Sequence, residues 1–432
     1  MAVERTANRG GAERDNSVRQ AAPELTPSQV RRNERLNYLQ LMWAGPYVII
    51  LQQYIPVLAT RLGASALLLG ILSSGAALML TVGTLTGRWW LQRGPADMRS
   101  VVFPVIGARS IVLWVPLVLL FAAHRPEMLV AATIASSLFL GLVQVAFMTV
   151  LPRMTFSERV STMISGRWTV LGIGMAAGIP LMAGILDAFP LPLNYVIVCG
   201  FAILTTIGEC ATFMHWRPRL HTSQPLRRSA RTDLGVIWRH AASRRYLFLT
   251  FLGQLGLSSI APLVPLQIVR HLQANNVQYG WYSAIAWLAI ALTGILRPRL
   301  IRRYGNGLLY GLAGIGLALE ALTLGLAISL PYTWLAGALG GVALGLFQVT
   351  AFGLIIESAP DECYESFVSI QASIGNFAVF IAPLLTSSLV SLGCPLGLTL
   401  LLCAGIRGLA SVLALRTVGR TQQREPLSAP AG

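Results

Sequence analysis

Lysine is absent from this chain: all 33 basic residues among its 432 are arginine. Acidic residues number only 17, and charged residues of both signs make up 12% of the whole, against about 25% in a soluble domain. A chain so poor in charge cannot clothe a globular surface in water, which excludes an ordinary soluble fold. The exclusive use of arginine reads as genome composition. Cysteine is scarce as well. Cys199, Cys210, Cys363, Cys394 and Cys403 form no C-x-x-C pair, which argues against a disulfide framework and a zinc site. The five histidines are scattered, with no H-x-x-x-H or D-D-x-x-D spacing, so no metal or other cofactor is expected. The first 36 residues lack the apolar core of a signal peptide and read as a disordered cytoplasmic tail, as do residues 417–432.

What the chain has in abundance is apolar sequence, 54% of its residues, gathered in long runs. Crossing a hydrocarbon core of about 30 Å takes roughly 20 such residues in a helix. Twelve runs qualify: 38–59, 67–87, 101–123, 128–151, 169–189 and 194–213, then 246–269, 279–296, 308–330, 332–355, 367–392 and 396–415. The fold expected is therefore an all-α membrane protein. An even number of spans puts both termini on one side. With that side inside, 28 arginines fall on cytoplasmic segments and only Arg61, Arg125 and Arg270 on external loops. This asymmetry predicts a multi-pass inner-membrane protein with both ends cytoplasmic. It also disposes of the nucleic acid partner that a net charge of +16 could suggest, because the basic residues are dispersed over many loops instead of gathered on one face.

The spans group as six plus six. Between them lies a basic segment, His215 to Arg245, expected to act mainly as a flexible tether, with a basic surface helix around Asp233–Arg245 as the other reading. The domain plan is thus a tail (1–36), a first six-helix bundle (37–214), a cytoplasmic central loop (215–245), a second bundle (246–416) and a tail (417–432). A repeat supports the division. Leu140-Gly141-Leu142-Val143-Gln144-Val145 in span 4 matches Leu344-Gly345-Leu346-Phe347-Gln348-Val349 in span 10, and the register continues to Glu158 and Glu362.

Six plus six spans, a basic central loop and a parallel repeat together resemble the major facilitator superfamily, over essentially Leu36 to Leu415. The loop after span 2, Gly87-Arg88-Trp89-Trp90-Leu91-Gln92-Arg93-Gly94, keeps the glycines and basic residues of the family's G-x-x-x-D-R-x-G-R/K signature but has leucine for the acid. The loop after span 8, Arg299 to Gly305, lacks the acid too. In span 5, Gly174, Gly178, Pro180 and Gly184 resemble a spaced-out form of the glycine–proline motif of drug:proton antiporters, a conformational element where helices approach closely. Span 4 departs from that subgroup, with Ser137 at its arginine position and Leu140 at its glutamine. The resemblance implies twelve helices in two pseudo-symmetric bundles, spans 1, 4, 7 and 10 around a central cavity, a small-molecule substrate and alternating access by a monomer. Its motif remnants lean towards proton-coupled efflux. Nutrient uptake by a symporter or uniporter of the same fold is the alternative, and a membrane-embedded enzyme or sensor is the alternative of another class.

Polar groups inside a membrane are costly, so each marks a site by default. Gln52, Gln53, Gln144, Gln254 and Gln348 fall on spans 1, 4, 7 and 10, with Asn376 on span 11. Amides both donate and accept, which suits a neutral or zwitterionic, partly apolar solute. Interhelical hydrogen bonds of about 1 kcal/mol would account for them equally. The charges deep within spans are Arg109, Glu209, Glu320 and Arg407. Desolvation demands partners, so Arg109 with Glu209 and Glu320 with Arg407 are expected as ion pairs, either structural or coupled to protons, with Glu320 the better placed for coupling. The arginine asymmetry makes a direct prediction: in intact cells a membrane-impermeant thiol reagent reaches a cysteine placed at Gln273 but not one at Ser229. Labelling at Ser229 would invert the topology.

Overall fold

The computed structural model describes residues 26–93, 99–122, 125–150, 154–156, 159–216, 230–360 and 363–422. Among them every regular element is helical, as hydrocarbon requires when no water is present to satisfy the backbone. Twelve helices are long and apolar enough to cross a bilayer. The first bundle holds α1 (Pro27–Arg61), α2 (Ala66–Arg93), α3 (Arg99–Arg109 and Ile111–Phe121), α4 (Pro126–Val150), α5 (Val160–Ala188) and α6 (Leu193–Met214). The second holds α7 (Ala241–His271), α8 (Asn276–Leu296), α9 (Arg299–Gly325), α10 (Leu330–Ser358), α11 (Tyr364–Ser391) and α12 (Leu396–Gln422). Glu158 and Glu362 of the repeat lie outside the described residues, as do positions 1–25, 94–98 and 217–229.

Several boundaries differ from the hydropathy reading. Helix α1 starts at Pro27, ten residues before the expected first bundle, because Thr26 and Gln29 form a reciprocal capping box with proline at the first turn. Helix α12 runs on to Gln422, into the expected tail. Part of the central loop is ordered as well. A helix, Ala230–Arg239, docks on the second bundle with Ile237 fully buried among Tyr246, Leu247, Ile355 and Phe367, so this part of the segment is no free tether. Helices α8 and α9 belong to one helical run interrupted at Gly305, whose φ of +72° is a conformation that glycine adopts without strain.

The first helix of each bundle is irregular near the same membrane face. In α1 a π-turn spans Ile50–Tyr54, and Ile55 donates to the carbonyl five residues back, at Ile50. Pro56 follows and has no N–H to give, so the ladder cannot continue in plain α register. In α7, the Ile260–Pro262 break is followed by a π-turn at Leu266–His271. These two irregular ends meet. Arg61 donates to the carbonyl of Ala274 (3.3 Å), and Arg270 donates to those of Thr60 (3.3 Å) and Ala64 (2.8 Å), each reaching across to the other bundle. Beside them the Asp187 carboxylate, at the end of α5, accepts from the backbone N–H groups of Asn276 (3.1 Å) and Val277 (2.9 Å) and from the Asn276 amide (2.6 Å). Those N–H groups begin α8 and have no partner inside their own helix, and an anion is favoured at that end.

The apolar packing follows the same asymmetry. At the latched face one buried cluster runs through both bundles, from Tyr54, Leu58 and Ile179 to Leu263, Ile268 and Tyr279. Towards the face that carries the termini, the clusters separate. Val105, Met154 and Phe213 belong to the first bundle alone, and Tyr310, Leu317 and Phe347 to the second alone. The bundles also touch along α5 and α8, where Gly172 lies against Trp287 and Ala291, and along α2 and α11, where Gly70 lies against Ser387. The outward faces carry exposed Phe103, Phe121, Leu204 and Ile295, the residue types that lipid solvates.

Candidate functional site

Each bundle holds a buried ion pair on its outer helices. In the first, Arg109 of α3 donates to both oxygens of Glu209 on α6, Nε to Oε2 at 2.9 Å and Nη2 to Oε1 at 2.8 Å. Glu209 is wholly buried and Arg109 nearly so. The Gln40 amide on α1 donates to Glu209 Oε1 at 2.6 Å, and the Arg109 guanidinium lies 3.7 Å from the centre of the Tyr47 ring. Bidentate geometry and the added donor supply what the carboxylate loses with water.

The second pair is built differently. Arg407 on α12 donates to Glu320 Oε2 of α9 at 3.0 Å, and the Tyr282 hydroxyl on α8 donates to Oε1 at 3.1 Å. The rest of the guanidinium serves the backbone. It donates to the carbonyls of Gly256 (2.6 Å), Leu257 (2.9 Å) and Leu317 (2.6 Å). Two of these carbonyls are open because α7 breaks: the N–H groups of Ile260 and Ala261, their ordinary helical partners, bond Ser258 instead. Glycine makes the room. A β-carbon at Gly256 would press on the Arg407 side chain, and one at Gly340 would strike the Glu320 carboxylate. Arg407 is therefore a backbone clamp as well as a counter-ion, a role with no signal in the sequence except the prolines at 262 and 265.

The amides fall into two groups. Gln53 is tied up, accepting from Ser283 of α8 at 2.6 Å across the bundle interface. Gln52, Gln144, Gln254, Gln348 and Asn376 are partly or fully exposed, and among the described residues their side chains make no hydrogen bond. Helical periodicity places Gln144 on the remaining arc of α4. Gly141 faces α2, Phe139 abuts Gly107 of α3, and Phe147 lies under Arg167 of α5. Gln348 sits on α10 between Gly345, which faces α8, and Ala351, whose carbonyl accepts from Tyr246 of α7. Phe347 turns the other way and stacks on Tyr310. In the glycine–proline stretch of α5, Gly178 packs on Ile49 of α1, while Gly174 and Gly184 have open space beside them and Pro180 lies inside the helix. The tight approach of the bundles passes through Gly172 instead.

Two six-helix bundles latched at one membrane face, with unpaired amides on their inner helices, define a membrane transporter of the secondary type rather than an enzyme. The sequence profile of the Major Facilitator Superfamily matches residues 47–383 and 246–432, and the chain belongs to that family. No curated protein matches the sequence. Among solved structures, the chain is similar to the nucleoside transporter NupG, at 11% identity and a TM-score of 0.70, covering 90% of this chain and 99% of that one. A bacterial homologue of the iron transporter ferroportin in an inward-facing state gives 12% and 0.68, covering 91% and 99%. The human organic anion transporter MFSD10 (TETRAN) gives 16% and 0.61, covering 90% and 100%. At such identities the likeness is one of fold.

The two ion pairs differ in how far they depend on the carboxylate. Glu209→Gln leaves Arg109 buried without a counter-charge and is expected to destabilise the protein by about 3–5 kcal/mol. Glu320→Gln leaves Arg407 its three carbonyls and is expected to cost about half as much or less. Thermal unfolding of the two purified variants in one detergent checks the order. An equal or larger loss for Glu320→Gln would contradict it.

Proposed function

We propose that this protein exports a small organic solute by alternating access, as a monomer in the inner membrane with both termini cytoplasmic. The observation that carries the reading is the asymmetric packing between the bundles: one apolar cluster joins them at the latched face, whereas towards the other face each bundle keeps a cluster of its own and the two touch only along α5–α8 and α2–α11. Two bodies that keep separate cores and meet most closely at one end can rock against each other, exchanging which end is closed. With the arginine-rich segments inside, the latched face is external and the solute path opens to the cytoplasm. Gln144 and Gln348 meet the solute from the two bundles, and Gln52, Gln254 and Asn376 are its further amide contacts.

Export driven by proton antiport is supported by the glycine–proline stretch of α5. The coupling carboxylate is Glu320. Its side chain is 11% exposed against 1% for Glu209. Its second oxygen is held by Tyr282, on a helix that packs against the opposite bundle, so movement of α8 changes the environment of the carboxylate. A group whose proton affinity depends on conformation is what coupling requires.

Untargeted metabolite profiling of cells with and without the protein identifies the solute, whose internal level falls when the protein is present. In everted membrane vesicles Glu320→Gln then lowers gradient-driven accumulation about tenfold, with solute exchange retained. A higher internal level would contradict export, and unchanged accumulation would remove Glu320 from coupling.

A further inference from the structure

Among the described residues, the buried charges of the second bundle balance, Arg407 against Glu320, but those of the first do not. Glu209 is shared between Arg109 and the Gln40 amide, and Glu34 pairs with Arg159 at 3.1 Å. That leaves Arg167, near the start of α5, with no carboxylate in direct contact among the described residues; Glu209, already held by Arg109, is the nearest acid acting on it, through Gln40. Its guanidinium donates to the Asn37 backbone carbonyl (3.2 Å), to Asn37 Oδ1 and to Gln40 Oε1 (3.2 Å from both Nη1 and Nη2). It also lies 4.2 Å from the centre of the Phe147 ring. All these partners are neutral.

An arginine does not lose its proton in a protein, so this cluster carries a net positive charge at the end of the span that begins at Gly166. A second feature points the same way. Arg167 can only donate, which fixes the Asn37 amide with its oxygen towards the guanidinium. The Asn37 nitrogen is left buried and without a partner. The cluster therefore has an excess of both positive charge and donors, and it lacks an acceptor. Arg167 is only partly buried, and the exposed Gln144 lies about one helical turn from Phe147 on α4. A planar guanidinium fork is matched by the oxygens of a carboxylate or phosphate.

We propose that Arg167 binds an oxyanion of the transported solute, so that the substrate is an organic carboxylate or phosphate ester whose neutral part meets Gln144. The inference rests on the transport reading and narrows its substrate class. Binding of the anion cancels the excess charge of this cluster. A lipid phosphate presents the same oxygens, and the test separates the two sources.

The purified full-length protein is placed in nanodiscs of zwitterionic lipid, and its unfolding temperature is followed with benzoate, succinate and glycerol 3-phosphate, each beside its uncharged amide or alcohol. At least one anion is expected to raise the wild-type midpoint where its neutral counterpart does not. Arg167→Gln should weaken its apparent affinity about tenfold or more, with Arg167→Lys retaining part of it. The proposal is overturned if no anion stabilises the wild type, if the neutral counterparts stabilise it equally, or if Arg167→Gln keeps the full shift. Stabilisation by phosphatidylglycerol in the nanodisc but by none of the soluble anions would assign Arg167 to a lipid headgroup and overturn it as well. If Arg167→Gln fails to fold, the wild-type comparison of each anion with its neutral counterpart still decides. Stabilisation by a neutral compound that Gln144→Leu abolishes would leave transport standing and remove only the anionic class.

Discussion

A polar group inside a bilayer has no water to turn to, and that constraint shapes this protein from its backbone outward. Where α7 breaks, the freed carbonyls of Gly256 and Leu257 would each cost several kcal/mol in hydrocarbon. Arg407 donates to both, Ser259 adds a hydroxyl to Gly256, and the charge of the guanidinium is met by Glu320. The break, the arginine on α12, the acid on α9 and the glycines that make room for them are thus one arrangement.

The same constraint explains the latched face. Helix α8 begins with N–H groups that its own turns cannot satisfy, and Asp187 of the other bundle satisfies them. Arg61 and Arg270 reach carbonyls across the interface where the first helix of each bundle is irregular. These contacts lie at helix ends, near the membrane surface, where water can replace them when the bundles part. The deep ion pairs have no such substitute and lie within single bundles. Except for the part-buried Gln53–Ser283 bond, the polar contacts named between the bundles thus lie at helix ends, and the deep ion pairs lie within a bundle.

Hydropathy made the twelve spans legible, because spanning length and apolar composition are local properties. The two-bundle division was legible through the Gln144 and Gln348 segments. Partners for Arg109 and Arg407 could be sought among very few buried acids, and the structure brings each to one. Tertiary features were not legible. Arg167 reads as a loop residue because the apolar run begins after it, yet α5 starts earlier, at Val160, and turns it onto Asn37 and Gln40. A helix in the central segment was legible only as the second reading, around Asp233–Arg245, and its docking on the second bundle, which buries Ile237, was not legible at all. In the glycine–proline stretch Gly178 packs closely on α1 while Gly174 and Gly184 have open space, and a close contact with the other bundle falls at Gly172, outside the stretch, which spacing alone does not distinguish.

The central claim is that two rigid bundles rock about one interface, closing one end as the other opens. Paired distance measurements between spin labels at Leu191 and Gln273, on the latched face, and at His215 and Glu357, on the opposite face, test it directly. In Asp187→Ala, where the cap on α8 is lost, the account predicts a longer distance for the first pair together with a shorter one for the second. Distances that change at one face alone, or lengthen at both, would contradict it.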